Sequence, residues 1–279
     1  MGAAWCAQGM EKKILDNAIR GIVEIVIVCF CLWKIEKVNY LEPMKPVIVL
    51  LLLCFLQTVV VAQNIRHDLP TRLDPAAYYL FYLHGGVVTV KGDNAINDPV
   101  PQFGPYQYSR ILDTLRAHRF HVISERRLPG IDDSVYTNKI VRQVDTLLSA
   151  KVPVRNIILV GASAGSNIVL RVSGRLKNLQ MKYVIMGGCW PDTYKDYSDI
   201  QITGRFLSII ESSDPRGTCA QIFQNRTQVK DFQEIKLETG LDHGFIYKPY
   251  AAWIDPLVQW FQIFAGGYQA KTATVIDGH

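Results

Sequence analysis

Gly161-Ala162-Ser163-Ala164-Gly165 breaks an apolar run in the segment NIILVGASAGSNIVL, residues 156–170. One hydroxyl between four small residues is the pattern of a nucleophile on a tight turn, since small neighbours leave the side chain clear. The same pattern also fits a packed helix start with Ser163 as its cap. A serine hydroxyl is a weak nucleophile until a base takes its proton. His243, in LETGLDHGFIYKP, is the candidate base, in a loop with Gly240 and Gly244. His118 and His121 flank the wrong end of a strand, His67 precedes the first clear strand, and His279 is terminal. An imidazole base needs a carboxylate to fix its tautomer and stabilise its cation. Asp214, in IIESSDPRG, is the candidate, giving the chain order Ser, Asp, His. Glu211 is the alternative acid on the same loop and Glu125 a more distant one. Asp242, beside His243, is expected to point elsewhere.

Acyl transfer also needs donors for a developing oxyanion. YLHGGVV supplies His84-Gly85-Gly86-Val87 at the end of an apolar run. Glycines let backbone N–H groups turn toward charge, so Gly85, Gly86 and Val87 are candidates for one donor. The N–H of Ala164 is the candidate for the other. His84 is expected to orient this loop.

These residues need elements to hold them. YYLFYL (78–83), HVISE (121–125), NIILV (156–160), KYVIMGG (182–188), FLSIIE (206–211) and FQEIKLE (232–238) read as strands. Helical spacing of apolar residues marks YQYSRILDTLRAHRF, YTNKIVRQVDTLLSA, a segment from about Ser163 to Leu176, and roughly 250–264. Alternating strands and helices predict an α/β fold, a mainly parallel sheet covered on both faces. Ligands in such sheets gather beyond the carboxyl ends of the strands. His84, Glu125, Ser163, Cys189, Asp214 and the loop after Glu238 all fall there.

From about Tyr78 to Trp260 the chain resembles the α/β-hydrolase superfamily, on HGG at His84, GASAG around Ser163, SDPRG with Asp214 and DHGF with His243. Within it, the chain is similar to small bacterial exported esterases with little or no cap. The resemblance implies Ser-His-Asp cleavage of small-molecule or lipid-like carboxylic esters through an acyl-enzyme, without metal or organic cofactor. A peptidase or thioesterase would use the same triad, and a non-catalytic envelope-associated binding protein could keep the fold. Few residues separate the end of an apolar leader near Ala62 or Gln63 from Tyr78, so the family's two opening antiparallel strands are expected to be missing or reduced. Little chain lies between Ser163 and Asp214, so the site should be uncapped, fringed by 189–203 and the loop 88–105. Trp190, Tyr194 and Phe103 are the aromatics that would line a pocket there. Cys189 and Cys219 fall on loops after neighbouring strands and are expected to pair.

The 279 residues are 49% hydrophobic and 20% charged, which excludes a disordered chain. The net charge of +5 is spread along the chain, arguing against a nucleic-acid partner. No clustered His/Cys set has zinc spacing, and GASAGS lacks the lysine of a phosphate-binding loop. Met44-Lys45-Pro46 followed by VIVLLLLCFLQTVVVAQ has the parts of a secretory signal peptide. The expected organisation is an upstream, non-native segment at 1–43, a signal peptide at 44–63 and a hydrolase domain at 64–279. The product would be exported. The alternative is a membrane anchor at 46–62, which would also allow membrane contact.

Overall fold

Seven strands pair edge to edge in a computed structural model of the chain, which describes residues 65–66, 68–92, 94–97, 102–190, 194–195 and 197–266. The expectations for 1–43, 44–63 and 46–62, and for His67 and His279, lie outside the described residues.

The strands are β1 (Ile65–Arg66), β2 (Tyr78–Leu83), β3 (Phe120–Ile123), β4 (Ile157–Ala162), β5 (Lys182–Met186), β6 (Gly204–Glu211) and β7 (Val229–Leu237). All pairings are parallel, in the order β1-β3-β2-β4-β5-β6-β7. The helices are α1 (Gly86–Lys91), α2 (Asn94–Asn97), α3 (Tyr108–Ala117), α4 (Asp133–Ser149), α5 (Ala164–Leu176), α6 (Ala220–Phe223) and α7 (Ala251–Phe264).

The two-residue period of a strand sends alternate side chains to opposite faces. Leu80, Tyr82, Ile158, Val160, Val184 and Leu207 join one core with Ile111, Leu112 and Leu115 of α3 and Trp253, Leu257 and Phe261 of α7. Tyr79, Phe81, Ile157, Leu159, Tyr183 and Phe206 join the other with Ile140 and Val144 of α4 and Ile168, Val169 and Val172 of α5. Helices on both faces explain why the central strands read as unbroken apolar runs. β7, at the sheet edge, is mostly half-buried instead, with Lys230, Gln233 and Lys236 exposed.

Strand order reverses at β2. β3 lies on one side of it and β4 on the other, so the loops leaving β2 and β4 diverge and open a crevice between them. That switch point is where a doubly covered sheet accepts ligands. HGG and Ser163 occupy its two sides.

Two features depart from the sequence reading. The described sheet begins with a two-residue strand, β1, paired in parallel with β3 through Ile65 and Val122. The span 88–105, read as a loop, contains most of α1 and all of α2. Val87, Val88, Thr89 and Val90 are β-branched and hide a helix from propensity. Tertiary packing prevails there, with Val88 fully buried.

Cys189 and Cys219 form a disulfide across a Cα separation of 5.1 Å. It ties the loop after β5 to the segment entering α6, past the loop that carries Asp214. Replacing both cysteines with alanine is expected to lower the unfolding free energy by about 3.6 kcal/mol, from the entropy of freeing a loop of 30 residues. Denaturant titration of the double variant against the oxidised parent measures this.

Candidate active site

Ser163 sits between β4 and α5 with φ 51° and ψ −119°. A side chain at positive φ carries strain of about 1–3 kcal/mol that surrounding structure must hold in place. The holding contacts are specific. The Ser163 N–H donates to the Met186 carbonyl at 2.7 Å, and the Ser166 hydroxyl donates to the Gly161 carbonyl at 2.8 Å. Both glycines of the motif are required by space. A Cβ on Gly165 would stand 1.9 Å from the Leu83 carbonyl oxygen, and one on Gly161 2.5 Å from the Gly165 oxygen. Gly188 is equally constrained, since its Cβ would fall 2.2 Å from that of Ser166. The turn is therefore pressed between β2 and β5, which pushes the Ser163 hydroxyl outward.

His243 belongs to a 3-10 turn, Asp242–Ile246, in the loop after β7. Its Nε2 lies 3.0 Å from Ser163 Oγ and its Nδ1 2.6 Å from Asp214 Oδ2. All three side chains are buried. Asp214 also accepts from the Arg216 N–H at 3.1 Å and from the Arg216 guanidinium at 3.3 Å. Burial pushes the Asp214 carboxyl up, but the bonds from His243 and Arg216 outweigh it, and its pKa falls below the usual aspartate value. It is ionised at neutral pH, as a partner for imidazolium must be. The Arg216 guanidinium is itself held over the Trp190 ring at 4.8 Å.

The hydroxyl, imidazole and carboxylate thus form one hydrogen-bonded line at the carboxyl ends of β4, β6 and β7, in the chain order Ser, Asp, His. With a strand–turn–helix serine at positive φ, that order on a parallel sheet is decisive. This is the α/β-hydrolase fold.

No protein-family model matches the chain, and no curated protein matches it. Among solved structures, an esterase from the bacterial hormone-sensitive lipase family is similar at 15% identity and TM-score 0.47, over 71% of this chain and 80% of that one. A putative alpha/beta hydrolase of unknown function from Agrobacterium tumefaciens matches at 14% identity and TM-score 0.48, over 74% and 93%. An arylesterase matches at 16% identity and TM-score 0.45, over 69% and 77%.

The candidate site continues into the HGG loop. Gly85 packs on Ser163, its Cβ position 3.5 Å from Ser163 Cβ, and that of Gly86 is 3.5 Å from Ala164 Cβ. Gly86 and Val87 open α1 and Ala164 opens α5. The first N–H groups of a helix have no partner within it, so both helix starts bring donors without intrahelical partners beside Ser163. The Gly85 carbonyl is engaged by the Val88 N–H at 3.2 Å and by His84 Nδ1 at 2.8 Å.

His84 is fully buried and orients this loop. Its Nε2 accepts from the Arg127 N–H at 2.9 Å, which leaves Nδ1 as the donor to Gly85. Burial, reinforced by the Arg127 cation, lowers the His84 pKa to about 3, so the ring stays neutral. The Arg127 guanidinium donates to the His84 carbonyl at 2.5 Å. Sequence reading passed over Arg127. Its signal was the pair Arg126-Arg127 just past a strand end, where a buried cation needs a reason.

The remaining candidates sort by position. Glu211 is buried and accepts from Thr239, Gly240, Ser212 and Ser213. Asp214 stands at the imidazole in its place. Glu125 pairs with Lys139 at 2.7 Å. Asp242 Oδ2 accepts from Gln102 at 2.9 Å and turns away from the imidazole. Phe103 borders the site, its ring centroid 6.5 Å from that of His243. Tyr194 instead donates its hydroxyl to the Thr218 carbonyl and packs against the core. His118 is buried at the end of α3, and His121 stacks on Tyr79. Among the described residues there is no group of three or more His, Cys, Asp or Glu placed to hold a metal ion.

Proposed function

We propose that the protein is a serine hydrolase cleaving carboxylic esters through an acyl-enzyme. The observation that carries this reading is the continuous line from Ser163 Oγ through His243 to Asp214, with contacts of 3.0 and 2.6 Å. Ser163 Oγ attacks the ester carbonyl carbon while His243 Nε2 takes its proton. Asp214 accepts from Nδ1–H and stabilises the imidazolium. The carbonyl oxygen, now negative, is received by the N–H of Ala164 and by those of Gly86 and Val87. Each such donor is worth about 3 kcal/mol in the transition state. The α5 N-terminus adds favourable potential. As the tetrahedral species collapses, His243 returns the proton to the leaving alcohol oxygen. Water, deprotonated by His243, then attacks the acyl carbon, and as the acyl–Oγ bond breaks His243 returns the proton to Ser163 Oγ and the acid leaves.

Turnover of p-nitrophenyl acetate, followed by a chain-length series of esters beside thioester and peptide panels, tests this function. Preference for thioester or peptide would move the substrate class but keep the triad. Absence of any turnover and of labelling by a fluorophosphonate would favour a binding protein.

Asp214→Asn is expected to lower kcat by about ten-thousand-fold, because the amide donates to Nδ1 and enforces the wrong tautomer. Steady-state kinetics on the same ester, with KM recorded separately, checks it.

Export agrees with the Cys189–Cys219 disulfide, which persists in oxidising compartments. Among the described residues no helix is long and apolar enough to cross a membrane.

A further inference from the structure

Glu211 ends β6, three residues before Asp214, and is 1% exposed. A buried carboxylate needs partners, and this one has donors from two loops. From the β6 loop, Oε1 accepts from the Ser212 hydroxyl at 3.1 Å and from the Ser213 N–H and hydroxyl at 3.4 and 3.3 Å. From the β7 loop, Oε2 accepts from the Thr239 hydroxyl at 2.6 Å and N–H at 3.2 Å, and Oε1 from the Gly240 N–H at 3.3 Å. A carboxylate offers about four lone-pair sites, so these donors occupy it fully. Burial raises its pKa, but the Thr239 and serine bonds outweigh this and hold it below the usual glutamate value.

The first of these loops carries Asp214 and the second leads to His243. Further bonds tie the two loops. The Asp214 N–H donates to the Glu211 carbonyl at 3.0 Å. The Asp242 N–H donates to Ser213 Oγ at 2.9 Å, and the His243 N–H to Asp242 Oδ1 at 2.6 Å. Asp242 sits at φ 52°, a position that needs such restraint.

We propose that Glu211 is a positioning residue for the Asp214–His243 pair, its carboxylate clamping the acid-bearing loop to the histidine-bearing loop. The proposal builds on the hydrolase reading but concerns the Asp–His register, which can be observed without a substrate. All of the donors are N–H or O–H groups. Glu211→Gln keeps the shape but turns one carboxylate oxygen into N–H₂, which meets a backbone N–H on either side, that of Thr239 or those of Ser213 and Gly240, so the clamp loosens while the core volume is unchanged.

The test compares the parent with Glu211→Gln, Thr239→Val and Ser213→Ala. Three readouts are taken: the low-field proton resonance of His243 Nδ1–H, the rate of fluorophosphonate labelling, and kcat and KM for p-nitrophenyl acetate. In Glu211→Gln the resonance is expected to move upfield or vanish, with kcat and labelling rate falling roughly 30- to 100-fold, the scale of a small misplacement. KM should stay within about twofold, since substrate binding is untouched. Thr239→Val and Ser213→Ala should show the same pattern at roughly a tenth of the size. A Glu211→Gln protein with native near-ultraviolet circular dichroism, an unmoved resonance and parental kcat would overturn the proposal. Should Glu211→Gln fail to fold, an unmoved resonance in both single-donor variants would overturn it instead. A parent without labelling or turnover would count against the hydrolase reading alone, because the resonance still reports the clamp.

Discussion

Ser163→Ala is expected to lower kcat on p-nitrophenyl esters by roughly ten-thousand- to million-fold, with the protein still folded. The loss is large because the residues of a triad act as a unit, and the remaining donors and binding surface give only residual rate. The variant also separates chemistry from strain. Alanine keeps the Cβ that makes φ 51° costly, whereas Ser163→Gly removes it. Ser163→Gly should therefore be equally inactive yet more stable than Ser163→Ala by about 1 kcal/mol, the strain relieved less the entropy lost by glycine. Ester kinetics and thermal denaturation of the two variants give both numbers. Equal stability would mean that the turn holds no strain.

Gly165→Ala is expected to be the most damaging single-methyl change at the site. Its Cβ would meet the Leu83 oxygen at 1.9 Å, the Leu83 carbonyl carbon at 2.7 Å and the His84 oxygen at 3.0 Å. These are backbone atoms of β2 and of the HGG loop, so no rotamer change relieves the overlap. Either α5 lifts from the sheet or the HGG loop shifts, and both misplace the Gly86 and Ala164 donors. A loss of about 3 kcal/mol or more, at the upper end of overpacking costs, should accompany the loss of activity. Gly85→Ala is the contrast, since its Cβ meets nothing nearer than 3.5 Å. Urea titration should find Gly85→Ala within about 1 kcal/mol of the parent. Similar stability of the two variants would show that Gly165 is not tightly enclosed.

Much of this was legible in the sequence, for physical reasons. Strands covered on both faces must be apolar throughout, so β2, β4, β5 and β6 stood out as runs. The nucleophile turn demands small residues at fixed offsets from Ser163, which gives a local signature. His243 was legible as the histidine beyond the last strand. Long-range choices were less visible. Asp214 and Glu211 lie three residues apart, at and just past the end of β6, and only the fold decides which meets His243 and which meets Thr239. α1 was hidden because its helical state depends on burying Val88. β1 has two residues, too few for any period. The spacing that makes Gly187 and Gly188 necessary arises from His243 and Ser166, both distant in the chain. A Cβ on Gly187, already at φ 53°, would stand 3.1 Å from His243 Cε1.

The central claim is that Ser163 is a nucleophile activated by His243. Treating the folded protein with a fluorophosphonate and mapping the adduct by peptide mass spectrometry tests it most directly. The account predicts one adduct, on Ser163, absent from Ser163→Ala and strongly slowed in His243→Ala. A parent protein that remains unlabelled, or an adduct on any other residue, would contradict it.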